Sequence, residues 1–282
     1  MKSSAHQHIP IPTAHLFPVL DDMLIELLRG LSAEEWHLPT VAKKWKVKDI
    51  AAHLLDVQLR ELSIGRDGFY GETPGKLEGY DDLVKWLNHL NMSWTEANRR
   101  LSPRVLTDLL EIVCRQFTAY LQSLDPFGDA VFSVAWAGEE RSPHWFHMAR
   151  NYTEKFLHQQ QIRNATGRDG LMTKTLYHPF ISTFMQALPH TYRKTAADEG
   201  TSVIVTVDTE IGGSWCIIKT KKGWAFHEDH ELSHAAVVNM SPDIAWQLFS
   251  KSMSPVEAVK KVTFSGDHAL GKVALKMVSV MA

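Results

Sequence analysis

Tyr152-Thr153-Glu154-Lys155-Phe156-Leu157-His158 is the stretch on which the reading of this chain turns. It sets a carboxylate and an imidazole four residues apart in a run that reads as helix. Residues at i and i+4 share a helix face about one turn apart, so both groups can reach one point. A third ligand from another helix would complete a catalytic type of metal site, in which three protein ligands leave one position open. The donor that fits is His53, in Asp49-Ile50-Ala51-Ala52-His53-Leu54-Leu55, far upstream. The two segments meet only if the chain folds as a bundle.

The surrounding sequence supplies the helices for one. Residues 14 to about 166 read as helical throughout. A first helix is expected near 14–30, ending at Gly30, and Ser32 to Glu35 has the capping-box form that opens a short turn before Pro39. A second runs from Val47 to Gly65–Gly68, and the turn residues of 71–75 make a loop. A third occupies 80–101, Ser102-Pro103 opens another to about 124, and Ser142-Pro143 opens the helix carrying Glu154 and His158, which Gly167 ends. The pattern then changes. After a helix near 174–194, the β-branched runs 201–207, 214–220 and 235–239 read as strands. Pro242 and Pro255 open short helices, 262–264 is a further strand, and a last helix spans 268–280. The expectation is an α+β chain of two domains, an all-helical 1–170 and a smaller α+β 171–282.

Composition narrows the function classes. With 282 residues, 44% apolar and 22% charged, the chain can build a sizeable core. A net charge of -2 gives no reason to expect nucleic acid or an anionic membrane as partner. No stretch reaches the roughly 18 apolar residues of a membrane span. Residues 1–20 carry prolines and histidines in place of an apolar signal region, and Cys114 and Cys216 form no framework. A cytoplasmic protein is expected.

Ile50, His53, Val57 and Ile64 fall on one stripe, which turns His53 toward the bundle interior. His147, Asn151, Glu154 and His158 share another that long cationic side chains mostly avoid. Taken singly, such a histidine is usually a core residue, and a Glu/His pair at i, i+4 is usually solvated. Together they suit zinc first, with nickel, iron or manganese also compatible. His147 precedes Glu154 by two turns, roughly 10 Å, too far to ligate the same ion but suited to the substrate side. Asn151 joins it there as a candidate catalytic group. As a histidine near a helix start, His147 otherwise reads as a surface residue.

At these residues the chain resembles the DinB-like superfamily, in its mycothiol-dependent maleylpyruvate isomerase branch. The features are Trp45-x-Val47-x-Asp49-x-x-Ala52-His53-Leu54, Glu154-x-x-x-His158, and the closing Phe264-Ser265-Gly266-Asp267-x-Ala269-Leu270-Gly271. The resemblance implies a DinB-type four-helix bundle joined to a sterol-carrier-like α+β domain. It implies zinc on His53, Glu154 and His158, with water in the open position. It also implies an isomerase or S-transferase in which a low-molecular-weight thiol, mycothiol or an analogue, binds the metal as thiolate. The partners are then a small-molecule substrate and a thiol, with the protein a monomer or homodimer. The long connection 124–141, holding Trp136, departs from the simplest pattern and reads best as an aromatic-anchored loop.

Physical reasoning agrees with such chemistry, because a divalent metal makes a bound thiol or water nucleophilic near neutral pH. Neither cysteine lies in a nucleophile motif, there is no Gly-rich phosphate loop, and Gly212-Gly213-Ser214-Trp215 is not a nucleophile elbow. A rival expectation is a metal-containing binding protein whose C-terminal domain holds a lipid or other apolar ligand among Trp215, Trp224, Phe226 and Trp246. His227, His230 and His234 read as solvated loop residues, and Lys219, Lys221 and Lys222 as an exposed turn.

Overall fold

The computed structural model describes residues 9–76, 78–230 and 233–280. Contacts gather the chain into two units, one taking in Thr13–Val131 with Glu154–Gly170, the other Phe132–Thr153 with Leu171–Val280. One is helical and the other carries a sheet with helices, the α+β class expected.

The helical unit holds α1 (Phe17–Arg29), α2 (Val47–Glu61), α3 (Tyr80–Asn98), α4 (Pro103–Ser123) and the second half of α5 (His144–Thr166). The starts of α4 and α2 follow local signals. Ser102 Oγ accepts from Val105 N–H ahead of Pro103, and Asp49 Oδ2 accepts from Lys46 N–H at 3.0 Å to open α2. α2 packs on α3 and α4, and α4 packs on α1. Phe17, Leu20, Leu24, Val47, Ile50, Leu106 and Leu110 are wholly buried between them. Each such side chain contributes roughly 1.5–3 kcal/mol. α2 ends in a π turn, Leu62–Arg66, where a Cβ on Gly65 would meet Tyr120 Oη at 2.4 Å. A larger residue there would have to displace the Tyr120 hydroxyl.

In the other unit, β1 (Ser202–Val207), β2 (Gly213–Thr220), β3 (Gly223–His227), β4 (Ala236–Met240) and β5 (Thr263–Gly266) form one sheet in the order β3-β2-β1-β4-β5. Only the β1–β4 pair is parallel. Val203, Val205, Val207, Ile217, Ala236, Val238 and Met240 are buried. The helices α6 (Lys174–Met185), α7 (Leu188–Tyr192) and α10 (His268–Ala274) pack against the sheet. The short α8 (Pro242–Phe249) and α9 (Pro255–Ala258) follow β4, each opened by a serine cap before its proline. The closing motif is a strand-to-helix junction. Asp267 Oδ1 caps Ala269 and Leu270, and Gly266 (φ 72°) passes so near Ala235 that a Cβ would lie 2.3 Å from its carbonyl oxygen.

Three expectations are corrected. The helix expected over 174–194 is two, since Pro189 in a first turn starts α7 anew. The last helix stops at Ala274, because the tail bonds elsewhere: Ser279 N–H donates to Phe249 O and its hydroxyl to Phe184 O. β3 was not expected, being short and next to the Lys221-Lys222 turn, and His227, read as loop, is its last residue. Trp224 and Trp246 are core side chains, and Trp136 anchors its loop against Phe146 and Phe184 at ring distances of 6.2 and 6.4 Å. Among the described residues no helix is long and apolar enough to cross a membrane.

Candidate metal centre

His53 comes from the middle of α2, Glu154 and His158 from α5, and all three belong to the helical unit. Their donor atoms lie within 4.8 Å of one another. Glu154 Oε1 stands 3.0 Å from His53 Nε2 and 3.1 Å from His158 Nε2. The two imidazoles meet edge to face with ring centres 4.7 Å apart. The residues singled out in the sequence as ligands therefore converge.

The electrostatics suit a cation. His53 is 4% exposed, and burial pushes its pKa down to about 4 against the raising effect of its bond to Glu154. Near neutral pH it is an uncharged imidazole. The nearby His158 and the Arg60 guanidinium push the same way as burial. Arg60 is paired with Asp56 at 2.9 Å, one turn beyond His53 on α2. His158 Nδ1–H donates to Gln161 Oε1 at 2.8 Å, which fixes the tautomer. In its neutral form His158 then turns the Nε2 lone pair toward the Glu154 carboxylate. Each Nε2 and the Glu154 oxygen is an atom that can ligate a cation, and two imidazoles with one carboxylate fit zinc or a similar divalent ion. His53 Nδ1 is buried without a hydrogen-bond partner among the described residues, so only His158 has its outer nitrogen held.

Sequence reasoning missed Gln161 and assigned Trp45 no role. Gln161 lies three residues after His158 on the same helix face, a spacing that could have exposed it. Trp45 stands inside the motif that carried the family resemblance, and its indole is 4.7 Å from the His53 ring and 5.8 Å from that of His158. His147 and Asn151 fall in the other unit. His147 is 8% exposed, buried where a surface position was expected, with its ring 6.3 Å from Phe132. Asn151 is 3% exposed, and its Oδ1 accepts from Arg150 at 2.8 Å. The loop histidines do not gather: among the described residues His53, Glu154 and His158 are the one such group of potential ligands. His234 Nδ1 instead faces Ser202 Oγ at 3.2 Å and Cys216 Sγ at 3.8 Å.

The family model described as the mycothiol maleylpyruvate isomerase N-terminal domain matches residues 18–163, over half of the chain and all three converging side chains. The chain belongs to this family. Two crystal structures of the mycothiol-dependent maleylpyruvate isomerase are similar to it, one of them of a mutant with a histidine replaced by alanine. Each has a TM-score of 0.53 at 12% identity, covering 89% of this chain and 91% of the other. The likeness in fold thus takes in the sheet-bearing part that the family model leaves out. No curated protein matches the chain.

Proposed function

We propose that this protein is a metal-dependent enzyme of the maleylpyruvate isomerase type, working with a low-molecular-weight thiol. His53, Glu154 and His158 hold one divalent ion, zinc before nickel, iron or manganese. The observation that carries this reading is the convergence of two imidazole nitrogens and a carboxylate oxygen within 4.8 Å, with no fourth described ligand in the group. Three ligands and an open position are the arrangement of a catalytic ion rather than a structural one.

When bound, such an ion supplies Lewis acidity and lowers the pKa of a thiol or water in the open position. The chain's own part is to hold and tune. His53 arrives without a proton to expel, Glu154 brings the negative charge that offsets the cation, and Gln161 keeps the His158 lone pair aimed inward. Both cysteines are buried, and burial lifts each thiol to about 11, so neither supplies the nucleophile near neutral pH. The reacting thiol is accordingly a cofactor, mycothiol or an analogue. His147 and Asn151, which precede Glu154 on α5, keep their proposed place on the substrate side.

Metal analysis of the purified protein tests the centre. One equivalent of divalent metal is expected, lost in His53→Ala, and cobalt-substituted protein should change its visible spectrum on adding a small thiol. Retention of a full tightly held equivalent by His53→Ala would refute the ligand assignment. A thiol-dependent cis–trans isomerisation assay with maleylpyruvate then tests the reaction, and activity independent of added thiol would exclude it.

A further inference from the structure

We propose that Trp45 is the specificity wall of the open coordination position. With Lys43, Lys44 and Lys46 on the same loop, it selects an anionic ligand that has a flat segment next to its metal-binding atom. The inference rests on the metal-centre reading and deepens it by naming the class of ligand.

Exposure gives the direction of approach. His53 and His158 are 4% and 8% exposed, whereas Trp45 and Glu154 are both half-buried. A ligand coming from solvent therefore reaches the donor atoms past the indole and the carboxylate. The indole is tilted by 47° and 36° to the two imidazoles, so it lies against both rings at once. A planar group entering between the metal-binding atoms and solvent would find an aromatic face on that side.

The wall is built before any ligand arrives. Trp45 N–H donates to Ala42 O at 2.7 Å. Its carbonyl accepts from Thr40 N–H at 3.1 Å and Thr40 Oγ1 at 2.8 Å. Pro39 and Lys46 pair as an isolated bridge, and Val47 N–H donates to Leu38 O at 3.1 Å. The turn is thus fixed at both ends, and a preorganised aromatic loses little entropy on binding. This also accounts for the motif: Trp45 faces the site, Val47 is wholly buried core, and Asp49 caps the helix that delivers His53. Lys43, Lys44 and Lys46 are exposed and adjoin Trp45 in the loop. Three exposed cations in four residues draw an anion toward the mouth, an effect that salt weakens.

The test uses cobalt-loaded whole protein, with metal content measured first and two probe thiols titrated by the visible spectrum. Para-mercaptobenzoate is flat and anionic, and mercaptoethanol is small and neutral. Trp45→Ala should keep its cobalt and lose about tenfold in affinity for mercaptobenzoate while leaving mercaptoethanol unchanged. Trp45→Phe should restore most of the loss, and added salt should weaken only the anionic probe. Equal losses for both thiols, or no loss, would overturn the proposal. Loss of cobalt in Trp45→Ala together with Trp45→Phe would also overturn it, making the indole a support of the ligands. Failure of the unaltered protein to take up cobalt would instead bring down the metal-centre reading beneath it, and this inference with it.

Discussion

The second half of α5 carries two polar clusters on different faces. On one face Lys155 is 2% exposed, yet every side of its ammonium is answered. It is ion-paired with Asp21 of α1, donates to Gln58 Oε1 of α2 at 3.2 Å, and lies 3.7 Å from Cys114 Sγ of α4. Thr118 Oγ1 donates to the other Asp21 oxygen at 2.7 Å, and Gln58 Nε2 to Leu54 O. Phe17 and Phe117 rings lie 5.5 and 5.7 Å from the same ammonium. Burial opposes the charge on Lys155, but Cys114 and Asp21 hold its pKa above that of a free lysine. The other face presents His53, Glu154 and His158, whose converging atoms are lone-pair bearers. Donors balance acceptors in the first cluster and it ties four helices together. In the second, two imidazole nitrogens and a carboxylate oxygen, each able to ligate a cation, converge within 4.8 Å of one another, as a binding site requires.

Breaking the closed cluster should cost the most. Asp21→Ala strands a buried ammonium and is expected to lower unfolding stability by about 3–5 kcal/mol. Replacing both partners by apolar residues, Asp21→Leu with Lys155→Met, should recover much of that loss. Urea unfolding measures both, and a loss below about 1 kcal/mol in the single variant would show the pair to be dispensable.

Closure also predicts silence at Cys114. Burial raises its thiol to about 11, with Lys155 pulling the other way. Against an ordinary thiol the thiolate fraction at neutral pH falls by about a hundredfold. Alkylation of native protein should therefore leave Cys114 unlabelled near pH 7 and label it only after unfolding. The sign is fixed by the direction of the shift, since reactivity rises only as pH climbs toward the raised value. Rapid native labelling at pH 7, read by mass spectrometry of the peptide, would mean that this face of α5 opens.

The open cluster should behave in the reverse manner. His53→Ala removes a buried imidazole and its bond to Glu154 and is expected to lower metal-free stability by about 1–2 kcal/mol, less than the closed cluster loses. Excess metal at a hundredfold its Kd should add nearly 3 kcal/mol to the unaltered protein and nothing to the variant. Equal stabilisation of both by metal, followed by thermal unfolding, would put the ion somewhere else.

The unequal legibility of the two clusters follows from the same contrast. His53, Glu154 and His158 were readable because a histidine on an apolar stripe and an acid–imidazole pair at i, i+4 are anomalies that metal chemistry explains. Lys155 was not, because a lysine on a helix reads as solvated and its answering Asp21 is 134 residues away. The helix start was legible in Ser102-Pro103, where the cap and the first-turn proline act locally, whereas α5 begins only at His144 and Ser142 Oγ accepts instead from Val134 N–H. The short end of α10 was not, because the bonds of Ser279 to Phe249 and Phe184 are tertiary. Trp45 stood in a quoted motif without a role, since only the fold brings its ring against both imidazoles.

The smallest predicted effect separates holding from ligating. Gln161 touches no metal-binding atom, yet its bond to His158 Nδ1 decides which nitrogen of that ring carries the proton. Gln161→Leu keeps the volume and removes the acceptor, so the His158 ring is free to turn and its tautomer is no longer fixed. Metal affinity should fall by about 10–100-fold, measured by competition with a chelator, while stoichiometry stays at one equivalent. Gln161→Glu retains an acceptor and should hold affinity at or above that of the unaltered protein. Among the described residues no such hydrogen bond supports His53 Nδ1, so the effect is expected at His158 alone. An unchanged affinity in Gln161→Leu would show that packing against Trp45 and His53 alone orients the ring. The tautomer would then be set by the ion itself.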